Sequence, residues 1–271
     1  MDPEREANLA NWESRVPIHV ASQEYDVDSL VAGTRRLSDV VAFDEPFLGD
    51  LTGLDAVHLQ CHIGTDTLSL ARLGARVTGL DFSPSAIAAA QDLAQRAGID
   101  ATFVQSEFYD AVAALGAERF DLVYTGVGAI GWLPDIAGWA RVVAALLRPG
   151  GRLYIREGHP MMWAIDDDMQ IAFPYFEHGG AVRMENDVTY TDGDARLSAP
   201  VTYEFNHGLG EIVQSVLDAG MTITRLAEHD FCEWQGLPPM VREADGKWRM
   251  PADVRDRLPL MYTLEARKLR N

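Results

Sequence analysis

A chain of 271 residues with 47% hydrophobic content can bury a core as one domain plus an embellishment. Its 41 acids against 23 Lys and Arg leave a net charge of −18, and the longest basic stretch is the terminal Arg267-Lys268-Leu269-Arg270. Phosphate-neutralising partners are therefore excluded: no nucleic acid and no anionic membrane surface. Two cysteines build no disulfide framework, the N-terminal segment is polar, and no apolar run nears the ~20 residues of a membrane span. A soluble cytoplasmic protein is expected.

In chain order, residues 1–48 read as an N-terminal helical cap. Short helices are expected at 8–16 and 27–33, with an acidic loop, Asp44-Glu45-Pro46, leading to the core. Residues 49–160 alternate strand and helix. Strands are expected at 56–61, 75–81, 101–105, 120–125 and 152–156, with helices at 65–73, 84–97, 111–115 and 134–147. Ser83-Pro84 is a helix start, a serine cap followed by a proline where no N–H is needed. Such alternation predicts an α/β fold, a mostly parallel sheet with helices on both faces. Residues 161–206 break the rhythm with aromatics, acids and glycines, including His178-Gly179-Gly180 and Asp192-Gly193-Asp194. They read as an insertion with antiparallel strands at 186–191 and 201–205. Residues 207–271 resume a helix at 209–219 and two strands, 223–230 and 260–266, that complete the core.

The first strand runs into Gln60-Cys61-His62-Ile63-Gly64-Thr65, and the second ends in Asp81. A tight turn and an acid at one sheet edge can hold an adenosine-type ligand, the acid accepting both ribose hydroxyls. A dinucleotide would need glycines where Gln60 and His62 stand, because its pyrophosphate must approach the helix N-terminus closely. That mismatch argues against a dinucleotide.

These features resemble the class I S-adenosylmethionine-dependent methyltransferases, and in particular a bacterial small-molecule branch with a Gln-Cys-His-x-Gly turn. The resemblance is close over 54–160 and looser over 207–267. It implies a Rossmann-like seven-stranded sheet and S-adenosylmethionine as cofactor. By the resemblance, Gln60, Cys61, His62, Gly64 and Thr65 form the cofactor turn and Asp81 binds the ribose. Phe82, Glu107 and Phe108 surround the adenine, Thr125 and Gly126 line the methionine end, and Tyr25 closes over the sulfonium. Leu147-Arg148-Pro149-Gly150-Gly151 resembles the family's turn into strand five and is structural.

Methyl transfer is an in-line displacement, so positioning the acceptor carries much of the rate, and a base is needed only when the acceptor loses a proton. Candidates for the catalytic role are His159, His207 and Glu157. Arg15, His19, Trp132, Trp163 and Tyr175 are candidates for holding substrate. Asp166-Asp167-Asp168 reads as a solvated loop rather than a metal site, and no metal is expected. The expected activity is methylation of oxygen or nitrogen on a small, partly aromatic metabolite by a monomer or homodimer. Alternatives are carbon methylation of an apolar or isoprenoid acceptor and a non-catalytic cofactor-binding module.

Overall fold

The structure, a computed structural model, describes residues 2–177, 180–191 and 193–270; His178, Gly179 and Asp192 of the expected insertion lie outside the described residues. Three helices open the chain: α1 (Pro3–Ala21), α2 (Val27–Ala32) and α3 (Asp39–Leu48). The Asp2 carboxylate caps α1 by accepting the Arg5 N–H, and Pro3 occupies the first turn, where it forfeits no bond. α1 outruns the expected 8–16 because Pro17 is tolerated within it. Its polar face is bonded to the insertion, which supplies the packing that propensity alone does not.

The core alternates β1 (Asp55–Leu59), α4 (Thr65–Arg72), β2 (Arg76–Asp81), α5 (Pro84–Ala97), β3 (Thr102–Gln105), α6 (Ala111–Leu115), β4 (Phe120–Thr125), α7 (Ile136–Leu146) and β5 (Leu147–Gly158). Ser83 caps α5 as its sequence signals, accepting the Ala86 N–H. After the short α8 (Pro160–Trp163) come β6 (Val182–Glu185) and β7 (Val201–Glu204), an antiparallel pair. Residues 186–191 were expected as a strand. They are not one, because the Asn186 side chain accepts the Val188 N–H and turns the chain. α9 (Leu209–Asp218) and β8 (Met221–His229) follow. A small sheet of β9 (Phe231–Cys232), β10 (Val241–Arg242) and β11 (Trp248–Arg249) was not anticipated, and β12 (Met261–Lys268) ends the fold.

The seven strands of the main sheet lie in the order β3-β2-β1-β4-β5-β12-β8. Only β12 runs antiparallel, against both β5 and β8. This Rossmann-like sheet with a helical cap and an antiparallel insertion agrees with the architecture read from the sequence. Its strand order reverses at β1 and β4, so their C-terminal ends open a crevice for ligand.

α3 replaces the expected acidic loop. Asp44, far from being solvated, is fully buried. It accepts hydrogen bonds from Tyr124 Oη at 2.6 Å, Tyr154 Oη at 2.8 Å and Arg156 Nε at 2.7 Å. Arg156 also pairs with Glu233 at 2.7 Å and lies 4.6 Å from the Phe43 ring. Removing one member of such a buried pair costs about 3–5 kcal/mol, because the other charge is left unpaired. No helix among the described residues is long and apolar enough to cross a membrane.

Candidate active site

The bend after β1 keeps the shape of a glycine turn without its glycines. Gln60 has φ 55°, His62 φ 50° and Gly64 φ 84°. All three alternate positions are left-handed, and for a side-chain-bearing residue that costs roughly 1–2 kcal/mol each. Glycine is retained only where bulk is forbidden: a Cβ at Gly64 would lie 2.7 Å from Ala90 Cβ. Gln60 and His62 project into contacts instead. Gln60 Nε2 donates to Ala129 O at 2.8 Å. His62 packs at 5.0 Å from the Trp12 ring. Cys61 sits beneath the bend, where a Cβ on Gly79 would come within 2.9 Å of its sulfur. Burial pushes its thiol well up, so it is a packing residue and not a nucleophile.

Asp81 is buried and pins the bend, accepting the His62 N–H at 2.8 Å and the Ser83 N–H at 2.9 Å. Burial raises its carboxyl to about 6, against the lowering pull of those backbone donors. Around it, Gln60 Oε1, Glu107 Oε1 and Thr125 Oγ1 are buried without a hydrogen-bond partner among the described residues. These atoms follow β1, β3 and β4 along one crevice. Phe82 flanks Asp81, and Phe108 is buried in the core below Glu107. Thr65 opens α4, and Gly126 lies where a Cβ would meet Asp66 Oδ2 at 3.2 Å.

α1 lies along this crevice. Arg5 reaches Glu107 at 3.3 Å, and Glu13 accepts the Ser83 hydroxyl and the Ser85 N–H at the start of α5. Trp12 contacts Trp132 at 5.3 Å. His19 Nδ1 is 3.1 Å from His62 Nε2, and its Nε2 is 2.7 Å from Thr189 Oγ1. The Tyr25 ring stacks on His19, and its hydroxyl meets that of Tyr190 at 2.7 Å. Arg15 bonds Asn11 and Thr189. Burial holds His19 down to about 2 and His62 down to about 3, so both rings stay neutral at physiological pH. Thus Arg15, His19, Tyr25, His62 and Trp132 are brought into one aromatic enclosure.

The other candidates lie elsewhere. Glu157 accepts four backbone N–H groups: Gly128 at 2.6 Å, Ala129 at 2.7 Å, Ile130 at 3.2 Å and Gly158 at 2.7 Å. His159 Nδ1 accepts the Met161 N–H at 3.0 Å, which places its proton on Nε2, 3.0 Å from Glu228. Burial lowers its pKa, and Glu228 opposes that shift. His207 Nε2 bonds Leu133 O at 2.7 Å. Trp163 is half-exposed and stacks on Trp234, while the Tyr175 hydroxyl accepts the Leu209 N–H at 3.2 Å. Sequence reasoning missed Trp12, Glu13, Thr189 and Tyr190. Trp12, Arg15 and His19 are spaced to share one helical face, a signal present in the sequence. The two insertion residues carry no comparable mark.

Comparison with known proteins agrees with this geometry. Residues 57–153 match the methyltransferase domain family. A ubiquinone biosynthesis O-methyltransferase of Methylobacterium sp. (strain 4-46) is 39% identical over 104 residues, covering 38% of this chain and 41% of that protein. The chain thus spans about two-fifths of that curated relative. An S-adenosylmethionine-dependent methyltransferase from Mesorhizobium loti superposes with TM-score 0.55 at 20% identity, covering 84% of this chain and 96% of the other. The magnesium protoporphyrin IX methyltransferase of Synechocystis, solved with bound S-adenosylhomocysteine, gives 0.50 at 21% identity over 90% and 82%. The match to the methyltransferase domain family thus covers residues 57–153, and the chain shares the fold of the solved S-adenosylmethionine-dependent methyltransferases.

The crevice fits that cofactor on its own chemistry. A nucleoside needs an acceptor for two vicinal hydroxyls and polar partners at either end, and Asp81, Glu107 and Thr125 offer unfilled acceptor capacity in that order.

Proposed function

We propose that the chain transfers the methyl group of S-adenosylmethionine to an oxygen of a small aromatic metabolite. The observation that carries this is the row of buried, unpartnered oxygens beside Asp81 at the β1–β4 switch point. The oxygen acceptor follows the named activity of the partial-length relatives, and the aromatic acceptor follows the Trp12, Tyr25, Trp132 and Tyr190 enclosure. The cofactor, when bound, supplies a methyl on a sulfonium, which is activated without further help. Asp81 holds the ribose hydroxyls, Glu107 the adenine amino group, and Gln60 with Thr125 the methionine end. Trp12 and Tyr25 present ring faces, which favour a cation.

We place His19 as a residue that positions the acceptor rather than as its base, because both ring nitrogens are already engaged and burial holds its pKa down to about 2. Its ring is neutral, and His62 and Thr189 hold it from both sides. His159 and His207 each have a ring nitrogen committed to backbone, and Glu157 has no lone pair to spare. Isothermal calorimetry with S-adenosylmethionine and S-adenosylhomocysteine, followed by turnover on phenols and amines, tests the reading. Saturable binding of both and methylation of a phenol are expected. The variant His19→Gln should lower turnover at least tenfold with cofactor affinity nearly unchanged. Absence of cofactor binding would overturn the proposal, and binding without turnover on any acceptor would leave a cofactor-binding module.

A further inference from the structure

One side-chain group lies outside the cofactor crevice and is not explained by packing. Glu177 of the insertion, His207 at the start of the link into α9, and Glu211 in the first turn of α9 converge. They bring one imidazole nitrogen and two carboxylate oxygens within 4.8 Å of one another. His207 is 3% exposed. Its Nε2 stands 2.7 Å from Leu133 O, and a carbonyl oxygen can only accept, so the ring proton sits on Nε2. With the proton placed there, Nδ1 is the ring atom that faces the carboxylates. Nδ1 finds no hydrogen-bond partner among the described residues, although Glu177 Oε2 is 3.0 Å away. That approach is favourable only when a positive species, a proton on Nδ1 or a cation bound between the groups, joins the nitrogen to the carboxylate.

We propose that Glu177, His207 and Glu211 bind a divalent transition-metal cation, of which Zn²⁺ is the type. Metal-ligating imidazoles are oriented by donating their second N–H to a carbonyl or carboxylate, and Leu133 O does this here. The nitrogen donor favours Zn²⁺ over Mg²⁺ or Ca²⁺, and three protein ligands leave a fourth position open. Two carboxylates match the charge of the cation. The N-terminus of α9 opposes it with about half a positive charge, which the carboxylates outweigh. The cation would tie the insertion to α9 just behind the loop after β4. His207 there lines a small cavity of about 20 Å³ together with Glu157 and Trp163.

The test is calorimetric titration of the chelator-treated full chain with Zn²⁺ at neutral pH, in the natural sequence and in Glu211→Gln. Thermal unfolding is followed in parallel. Glu211 is only partly buried, so its variant should fold even if His207→Gln does not. One Zn²⁺ per chain is expected, with affinity reduced about 10–100-fold in Glu211→Gln. A rise in Tm on adding Zn²⁺ should appear in the natural chain and shrink in the variant. Absence of stoichiometric binding, or equal binding by the two proteins, would overturn the site and leave a protonated histidine paired with Glu177.

Discussion

Two buried carboxylates finish the ligand edge of the sheet, and they do so differently. Asp81 pins the bend after β1 with hydrogen bonds from His62 and Ser83. Glu157 pins the loop after β4 with bonds from Gly128, Ala129, Ile130 and Gly158. A carboxylate has about four lone-pair sites. Glu157 has filled all of its own, while Asp81 keeps room for two more donors. The difference separates an acid that shapes the site from one that can also hold a ligand, although both are buried acids at strand ends.

The largest effect that tests the contrast is expected at Glu157. An amide there offers one acceptor oxygen and turns an NH₂ toward the amides that Oε2 now serves. Glu157→Gln should therefore lower unfolding free energy by about 2–3 kcal/mol in denaturant melts, with cofactor affinity of the folded protein largely kept. Were affinity lost and stability kept, the two acids would have to exchange roles.

A smaller effect should appear at Asp81 as a pH dependence. On the proposed reading, ribose hydroxyls donate to the ionised acid, so binding favours deprotonation. Cofactor affinity should be level above neutrality and fall as pH drops through about 6, by at most about tenfold per unit. Asp81→Asn should weaken binding by about 2 kcal/mol and abolish that pH dependence, as read by calorimetry between pH 5 and 8, roughly. Without ligand the sign reverses. A carboxyl raised by burial contributes stability that is full below its unfolded value near 3.8 and lost as pH rises through about 6.

The smallest effect concerns the bend itself. Gln60→Gly removes a left-handed side-chain residue but also loses the hydrogen bond to Ala129 O. The two changes nearly cancel, and Tm should move by no more than the equivalent of about 1 kcal/mol. A loss of several kcal/mol would mean that the glutamine side chain, not the backbone path, holds the turn.

What could be read in the sequence was local or periodic. Ser83-Pro84 announced α5 to the residue, the strand–helix alternation announced the sheet, and Asp81 stood out at a strand end. α3 was missed because Asp44, Glu45 and Pro46 look solvated until Arg156, Tyr124 and Tyr154 arrive from strands far along the chain. The left-handed path of Gln60 and His62 was hidden because residue type reports preference, and here tertiary packing overrides it. Thr189 and Tyr190 reach His19 and Tyr25 across more than a hundred positions, and Glu177 meets His207 only through the fold.

Asn8 of α1 exchanges two hydrogen bonds with the Tyr203 backbone, and Asn11 adds a third to Ala199. Cap helix and insertion are thereby riveted into one jaw over the crevice. The jaw also carries Trp12, His19 and Thr189, which bear directly or in sequence on the His62 ring. Packing of this jaw on the His62 ring therefore acts together with the Asp81 hydrogen bond to hold that residue in its left-handed backbone well.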